Sequence, residues 1–291
     1  MHRPAFSLKP YEKTHAKWRR RDFILLSAAI IFLIVFGLWQ NNALTVTNYT
    51  AESNKPLPQD GLRIVQLSDL HNKRFGDGQA RLLTQIRTQK PDLIVCTGDM
   101  ADARRTDLEP VFTLAEALTK IAPTYFVSGN HELRLPTETR TAFYDGLTAR
   151  GVTVLYNQAA SVTVRGCSVT LIGLDDRNLE DDTLLQVTKS LPQEPVRILL
   201  AHEPQAFPHY AEYADVVFSG HTHGGQIRLP FVGGLAAPDQ GLFPKYDAGE
   251  FHGDDTVMFV SRGMGNSLFP MRVFNRPEIV SVTIQNPITE E

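Results

Sequence analysis

Sulfur is scarce in this chain of 291 residues, which holds two cysteines, Cys96 and Cys167. Cys96 lies in the apolar run Leu93-Ile94-Val95-Cys96, where a small thiol behaves as a core residue. A disulfide framework is thereby excluded, and the fold has to stand on its hydrophobic core. Excess charge is lacking too. The net charge of -3 gives no basic field that would argue for nucleic acid as a partner, and none is expected. Repeats and low-complexity segments are absent from the region that reads as globular. At 42% hydrophobic and 21% charged residues, the composition is that of a folded protein.

Long apolar runs are lacking with one exception, Phe23 to Trp39, which is 17 residues without a charge. At ~1.5 Å per residue it just matches a ~30 Å hydrocarbon layer, so residues 23–39 read as a transmembrane helix or uncleaved export signal. Arg3, Lys9, Lys13, Lys17, Arg19, Arg20 and Arg21 precede it, and only Lys55 follows before the globular region begins. That asymmetry predicts a single-pass membrane protein with a cytoplasmic N-terminus (residues 1–22) and the domain on the outer side. Arg20-Arg21-Asp22-Phe23-Ile24 also resembles a twin-arginine export signal. Residues 40–60, polar with Pro56 and Pro58, read as a linker.

From residue 61 to 288 short apolar runs alternate with helical periodicity. Strands are predicted at 63–67, 92–95 and 125–127, with helices at 79–89, 108–121 and 137–150. Further strands follow at 152–155, 162–164, 169–172, 197–201, 215–218, 257–260 and 279–284. This order predicts an α/β domain of two packed sheets with helices outside.

Chemistry gathers where those strands end. Asp69 and His71 follow the first strand, Asp99 and Asp102 the second, and Asn130, His131 and Glu132 the third. His202 ends a later strand, and His221 and His223 the next. In α/β sheets ligands bind beyond the carboxyl ends of strands. Residues two apart in extended chain point the same way, so Asp69 with His71, and His221 with His223, are each expected to face one centre. Five of the nine histidines occupy these positions. Oxygen and nitrogen donors without sulfur suit Mn, Fe, Zn or Mg.

The ordered blocks Asp-x-His, Gly-Asp-x-x-Asp, Gly-Asn-His-Glu, His and Gly-His-x-His resemble those of the calcineurin-like metallophosphoesterase superfamily. The stretches Gly220-His221-Thr222-His223-Gly224-Gly225-Gln226 and Ser261-Arg262-Gly263 resemble its bacterial membrane-associated, YaeI/YkuE-like branch. The resemblance implies a four-layer α/β/β/α sandwich of two mixed sheets and two divalent metal ions. One ion would take Asp69, His71, Asp99 and His223, and the other Asp99 as bridge, Asn130, His202 and His221. It further implies His131 as general acid, oriented by Asp102, with a water made nucleophilic between the cations attacking phosphorus.

Weaker expectations attach to Arg262 and Arg74 as phosphate-binding residues. His209 and His252 are expected to be surface groups, Glu203 a solvated loop charge with the orienting of a ligand histidine as alternative, and Phe269, Met271 and Phe274 packing residues with an acyl-contact alternative. The implied activity is a phosphodiesterase or pyrophosphatase, monomeric, acting on a phosphoester near the membrane. A UDP-2,3-diacylglucosamine pyrophosphatase-like reaction is one reading, and an envelope or phospholipid diester fits the outer location better. The alternative class is a non-catalytic, metal-loaded module that binds phosphate-rich envelope polymer.

Overall fold

The computed structural model describes residues 20–105, 107–176, 182–266 and 270–287. The chain divides into two compact units between Leu38 and Trp39. The described part of the first is helix α1 (Arg20–Asn42), 23 residues long and apolar on every face, whose last four residues belong to the second. At ~1.5 Å per residue it exceeds the ~30 Å of a hydrocarbon layer, long and apolar enough to cross a membrane. It begins three residues earlier and ends three later than its uncharged run.

Two six-stranded mixed sheets form the second unit. The first contains β1 (Thr45–Glu52), β2 (Leu62–Leu67), β3 (Leu93–Thr97), β4 (Thr124–Val127), β5 (Thr153–Val154) and β16 (Glu278–Gln285), in the order β1-β16-β2-β3-β4-β5. The second contains β6 (Gln158–Val164), β7 (Cys167–Gly173), β8 (Val196–Leu200), β9 (Val216–Ser219), β14 (Gly249–His252) and β15 (Val257–Val260), in the order β14-β15-β9-β8-β7-β6. Helices α2 (Ala80–Gln89), α3 (Glu109–Leu118), α4 (Asn130–Leu133) and α5 (Thr137–Thr148) come from the first half, and α6 (Thr183–Thr188) and α7 (Phe207–Tyr210) from the second. Between β9 and β14 run two small ribbons, β10 (Arg228–Leu229) with β11 (Gly233–Gly234) and β12 (Ala236–Ala237) with β13 (Gly241–Leu242).

Alternation along the strands builds the layers. In β3, Leu93 and Val95 enter the core between the sheets, while Ile94 and Cys96 pack on the helical layer with Leu82, Leu114 and Phe143. In β9, Val216 and Phe218 face the inter-sheet core and Val217 packs with Leu184 and Tyr210 on the far side. Three apolar cores thus separate four layers, the α/β/β/α sandwich. Both strand faces are covered, which is why the central strands read as unbroken apolar runs.

Residues 40–60 differ from the expected linker. They contain β1, which runs parallel to β16 from Thr45↔Glu278 to Glu52↔Gln285 and edges the first sheet. Thr45-Val46-Thr47-Asn48-Tyr49-Thr50 is rich in β-branched and aromatic residues, a strand signal that the prolines downstream obscured. The globular fold therefore starts well before residue 61.

Candidate metal centre

Parallel strands β2, β3 and β4 in one sheet, and β8 and β9 in the other, end on the loops that carry the polar residues. Backbone bonds stitch these loops together: Asp69 N donates to Gly98 O at 3.0 Å, and His71 N to Asp99 O at 3.0 Å. Gln66 Nε2 donates across the sheets to Ser219 O at 2.7 Å and within its own sheet to Thr97 Oγ1 at 2.9 Å, a buried polar tie at the strand ends.

The backbone here is not extended. Asp69 (φ 53°), His71 (49°), Asp99 (52°), His221 (70°) and His223 (50°) all adopt left-handed conformations. Convergence of Asp69 with His71, and of His221 with His223, comes from these turns and not from strand alternation as expected. Non-glycine residues enter this region at a cost of ~1–3 kcal/mol each, and such costs concentrate at functional sites. Close approach requires glycine beside them: a Cβ on Gly220 would lie 1.9 Å from Ser68 Oγ.

Six of the anticipated residues form one buried cluster, and half-buried Asn130 precedes His131, whose N donates to Asp99 Oδ1 at 2.8 Å. His223 Nε2 lies 3.4 Å from Asp69 Oδ1 and 3.2 Å from His71 Nε2. His202 Nε2 lies 3.2 Å from His221 Nδ1. Asp99 Oδ2 stands between the groups, 3.7 Å from His71 Nε2 and 3.4 Å from His202 Nε2. Donor atoms held at ~2.0–2.1 Å by a tetrahedral cation sit ~3.3 Å from one another, a length that these spacings match. Asp69 Oδ1 and Asn130 Oδ1 are buried with no hydrogen-bond partner, a costly state unless a cation satisfies them. The donors present fit two divalent cations.

Hydrogen bonds set which nitrogens are available. His202 Nδ1 donates to Thr97 O at 2.7 Å, and His221 Nε2 donates to Asp239 Oδ2 at 2.9 Å. Each leaves the opposite nitrogen's lone pair facing inward. Burial and the neighbouring Arg272 hold His223 well below the usual histidine range, neutral and able to ligate. Burial opposes charge on Asp99, yet His202, His71 and His131 hold its carboxyl below the usual range. His202 is raised in turn: burial works against its charge, but Asp99 draws a proton onto it. Positive charge is what this centre demands.

His131 and Asp102 lie beside the cluster. His131 Nδ1 accepts from Ala103 N at 3.2 Å and lies 3.4 Å from Asp102 Oδ1. The neutral ring therefore carries its proton on Nε2, and a second proton at Nδ1 would meet Asp102. The His131 ring is 4.5 Å from that of His71 between centroids. Glu132 is fully buried and accepts from Asp99 N, Gly129 N and Ala101 N at 2.8–2.9 Å, shaping the Asp99 loop. Burial and the Asp99 charge push its carboxyl up to about 8, against the pull of those N–H donors.

Other expected residues are placed elsewhere. Arg74 is exposed and ion-pairs with Asp107 and Glu109. The Arg262 guanidinium bonds Glu278 Oε1 at 2.7 Å. Neither belongs to the cluster. His209 is half-buried edge-on to Tyr213, and His252 is exposed beside Glu250. Phe269 lies outside the described residues, while Met271 and Phe274 are exposed rather than buried. Glu203 is not a solvated loop charge: with His221 and Asp239 it forms a tight group, and burial followed by Asp176 pushes its carboxyl up to about 7. It lines a cleft of about 490 Å³ with Asn130, Arg134, Asp176, Gln205 and Asp239.

Three residues escaped the sequence reading. Asp239 orients His221 from a ribbon turn. Arg272, fully buried, donates to Arg262 O and Gly265 O and lies 3.5 Å from His223 Nδ1. Asn275 Nδ2 donates to His223 O at 2.7 Å. They sit 18 to 52 residues from the histidines they meet, and no local spacing marks them.

A family model described as calcineurin-like phosphoesterase matches residues 62–225. The chain is 34% identical over 252 residues to an uncharacterized metallophosphoesterase, YkuE, of Bacillus subtilis, covering 84% of this chain and 86% of that one. It is 31% identical to the phosphodiesterase YaeI of Escherichia coli, covering 76% and 82%. A zebrafish transmembrane protein with metallophosphoesterase domain is 29% identical, covering 79% of this chain and 54% of its own length.

Proposed function

The chain belongs to the calcineurin-like phosphoesterase family and is a metal-dependent phosphoester hydrolase, and we propose that it cleaves a phosphodiester of a lipid-linked substrate at the membrane. The observation that carries the catalytic part is Asp99 Oδ2, shared between His71 and His202, with the orphaned Asp69 Oδ1 and Asn130 Oδ1 beside it.

In this reading Asp69, His71, His223 and Asp99 hold one divalent ion, and Asp99, Asn130, His202 and His221 the other. What the cations supply when bound is Lewis acidity toward phosphoryl oxygens and a lowered pKa for water between them. The chain does the rest. With a second proton on Nδ1 facing Asp102, the His131 imidazolium gives its Nε2 proton to the departing oxygen and returns to the neutral ring, which Asp102 holds for that transfer. Arg134, lining the cleft beside Asn130, meets a phosphoryl oxygen in place of Arg74 and Arg262. The donor set admits Mn, Fe, Zn or Mg, which metal analysis of the purified protein would separate.

The test is hydrolysis of bis(p-nitrophenyl) phosphate with added Mn²⁺ by the full chain, His131→Ala and Asp99→Ala. His131→Ala should lose ~10²–10⁴-fold in kcat with its metal retained, and Asp99→Ala should lose both. Activity surviving both substitutions sinks the mechanism. Metal-loaded protein inert toward every diester would instead favour a module that binds phosphate-rich polymer.

For location, α1 anchors the protein in a bacterial membrane with the catalytic domain outside, on the evidence of the basic flank before it. Arg20-Arg21 offers a twin-arginine route for a domain loaded with metal before export. Protease added to intact cells stripped of any outer barrier should then digest the domain; digestion only after lysis refutes the orientation.

A further inference from the structure

We propose that the exposed apolar ribbons between β9 and β14 rest in the surface of the lipid leaflet at which α1 ends, so that the site draws its substrate directly from the bilayer. This inference rests on the lipid-linked phosphoester reading of the same centre.

Three side-by-side backbone bonds define the surface. Arg228 N donates to Val273 O at 3.0 Å, Leu235 N to Ile227 O at 2.8 Å, and Phe243 N to Leu235 O at 2.9 Å. The layer so formed carries Leu229, Phe231, Val232, Leu242 and Phe243, all exposed, with Phe231 at 109%, Leu242 at 70% and Phe243 at 60%. Apolar side chains gathered in this way mark an interaction surface. Phe231 (φ 65°) and Phe243 (φ 54°) also adopt left-handed backbone. A bulky residue is an outlier there, and no burial within the domain compensates for it.

The end of α1 identifies the occupant. Asn41 Oδ1 accepts from Asn266 Nδ2 at 3.0 Å and from Arg272 N at 3.1 Å, and Gln40 Oε1 accepts from Asn275 N at 3.1 Å. Arg276 lies over the Trp39 ring, 5.2 Å from its centroid. The segment that receives these residues is the one bridged to the ribbons through Ile227 and Val273, and it exposes Met271 and Phe274. The apolar run that would cross a membrane stops at Trp39, a residue type that settles at the lipid–water boundary. Lipid headgroups therefore begin within one helical turn of the segment flanking the ribbons. Exposed Lys245 lies two residues past Phe243, and exposed Arg81 bonds Asn42 O at the end of α1, cations suited to an anionic leaflet.

The ribbons are also wired to the centre. Asp239, in the turn between β12 and β13, accepts from His221 Nε2 at 2.9 Å, and Thr222 Oγ1 donates to Asp247 O at 2.6 Å. A lipid phosphoester lifted at the ribbons thus arrives beside the cleft.

The full chain in phosphatidylethanolamine–phosphatidylglycerol vesicles tests this, in a Trp18→Phe, Trp39→Phe background. Phe231→Trp and Phe243→Trp, made separately, should each give blue-shifted emission that is lost when the acyl chains are brominated. Solvent-like emission unaffected by bromine overturns the proposal. Blue-shifted emission insensitive to bromine overturns it as well, because the ribbons are then covered by protein, such as a second copy of this chain. Leu242→Trp repeats the reading should either phenylalanine variant fold poorly. No turnover is needed, so failure here is distinct from failure of the hydrolase reading, which the soluble diester assay reports.

Discussion

Arg134 is proposed for phosphate because of its place on the cleft. Arg74 is held by Asp107 and Glu109, and Arg262 by Glu278, whereas Arg134 opens onto the cleft that Asn130 also lines. A charge-assisted bond to phosphate is worth ~1.5–3 kcal/mol, so Arg134→Ala should raise KM on the order of tenfold to a hundredfold. If the contact is made equally to substrate and transition state, kcat changes little. An unchanged KM would return the role to another group. The donors themselves were legible in the sequence because each is a His, Asp or Asn at the end of an apolar run, chemistry tied to a local boundary. Arg272 and Asp239 were not, because their roles are set by partners distant in the chain and nothing in their neighbours differs from an ordinary loop.

At the level of elements, the passage from α1 into the domain is a built joint. Lys73 Nζ donates to Asn41 O and Arg81 to Asn42 O, so cationic side chains satisfy the helix's last carbonyls. Burial, then Arg272 and Arg81, push the Lys73 amine down from 10.5 to about 7. A lysine whose folded pKa is depressed is charged in both states below about 7, where the full penalty of burying that charge is felt. Between about 7 and 10.5 the unfolded chain binds the extra proton, so stability rises with pH across that window. The gain is on the order of a few kcal/mol. Denaturation of the full chain in detergent should show this rise, and Lys73→Met should flatten it; an equal slope in both proteins refutes the assignment. The joint was invisible in the sequence for a physical reason. A lysine two residues past His71 reads as a solvated charge, and β1 reads as a tether until β16, over 230 residues away, supplies the strand beside it.

Across the whole molecule, the layered architecture follows from the order of elements, because strands that alternate with helices must be covered on both faces. The ribbons and β14 carry too little apolar periodicity to be anticipated, being held by backbone bonds to neighbours and by Asp247. What the architecture shares out among five loops must be held together by something at their meeting point. Asp69, Asp99 and four histidines stand within a few ångströms of one another, with left-handed backbone under several of them and two carbonyl-type oxygens unsatisfied. Each of those costs is repaid only when a cation is present, so binding should stabilise the domain far from the cleft. Cation at a hundred times its Kd adds ~2.7 kcal/mol. For a domain of this size that corresponds to a Tm higher by roughly 5–10 °C. Chelation followed by metal analysis should lower the Tm by that amount, and restored Mn²⁺ or Zn²⁺ should recover it. Asp99→Ala, lacking the shared oxygen, should show little of the shift. A wild-type Tm that stays constant through verified metal removal would mean that the donors are held in place by the protein alone, and the two-cation reading would fail with it.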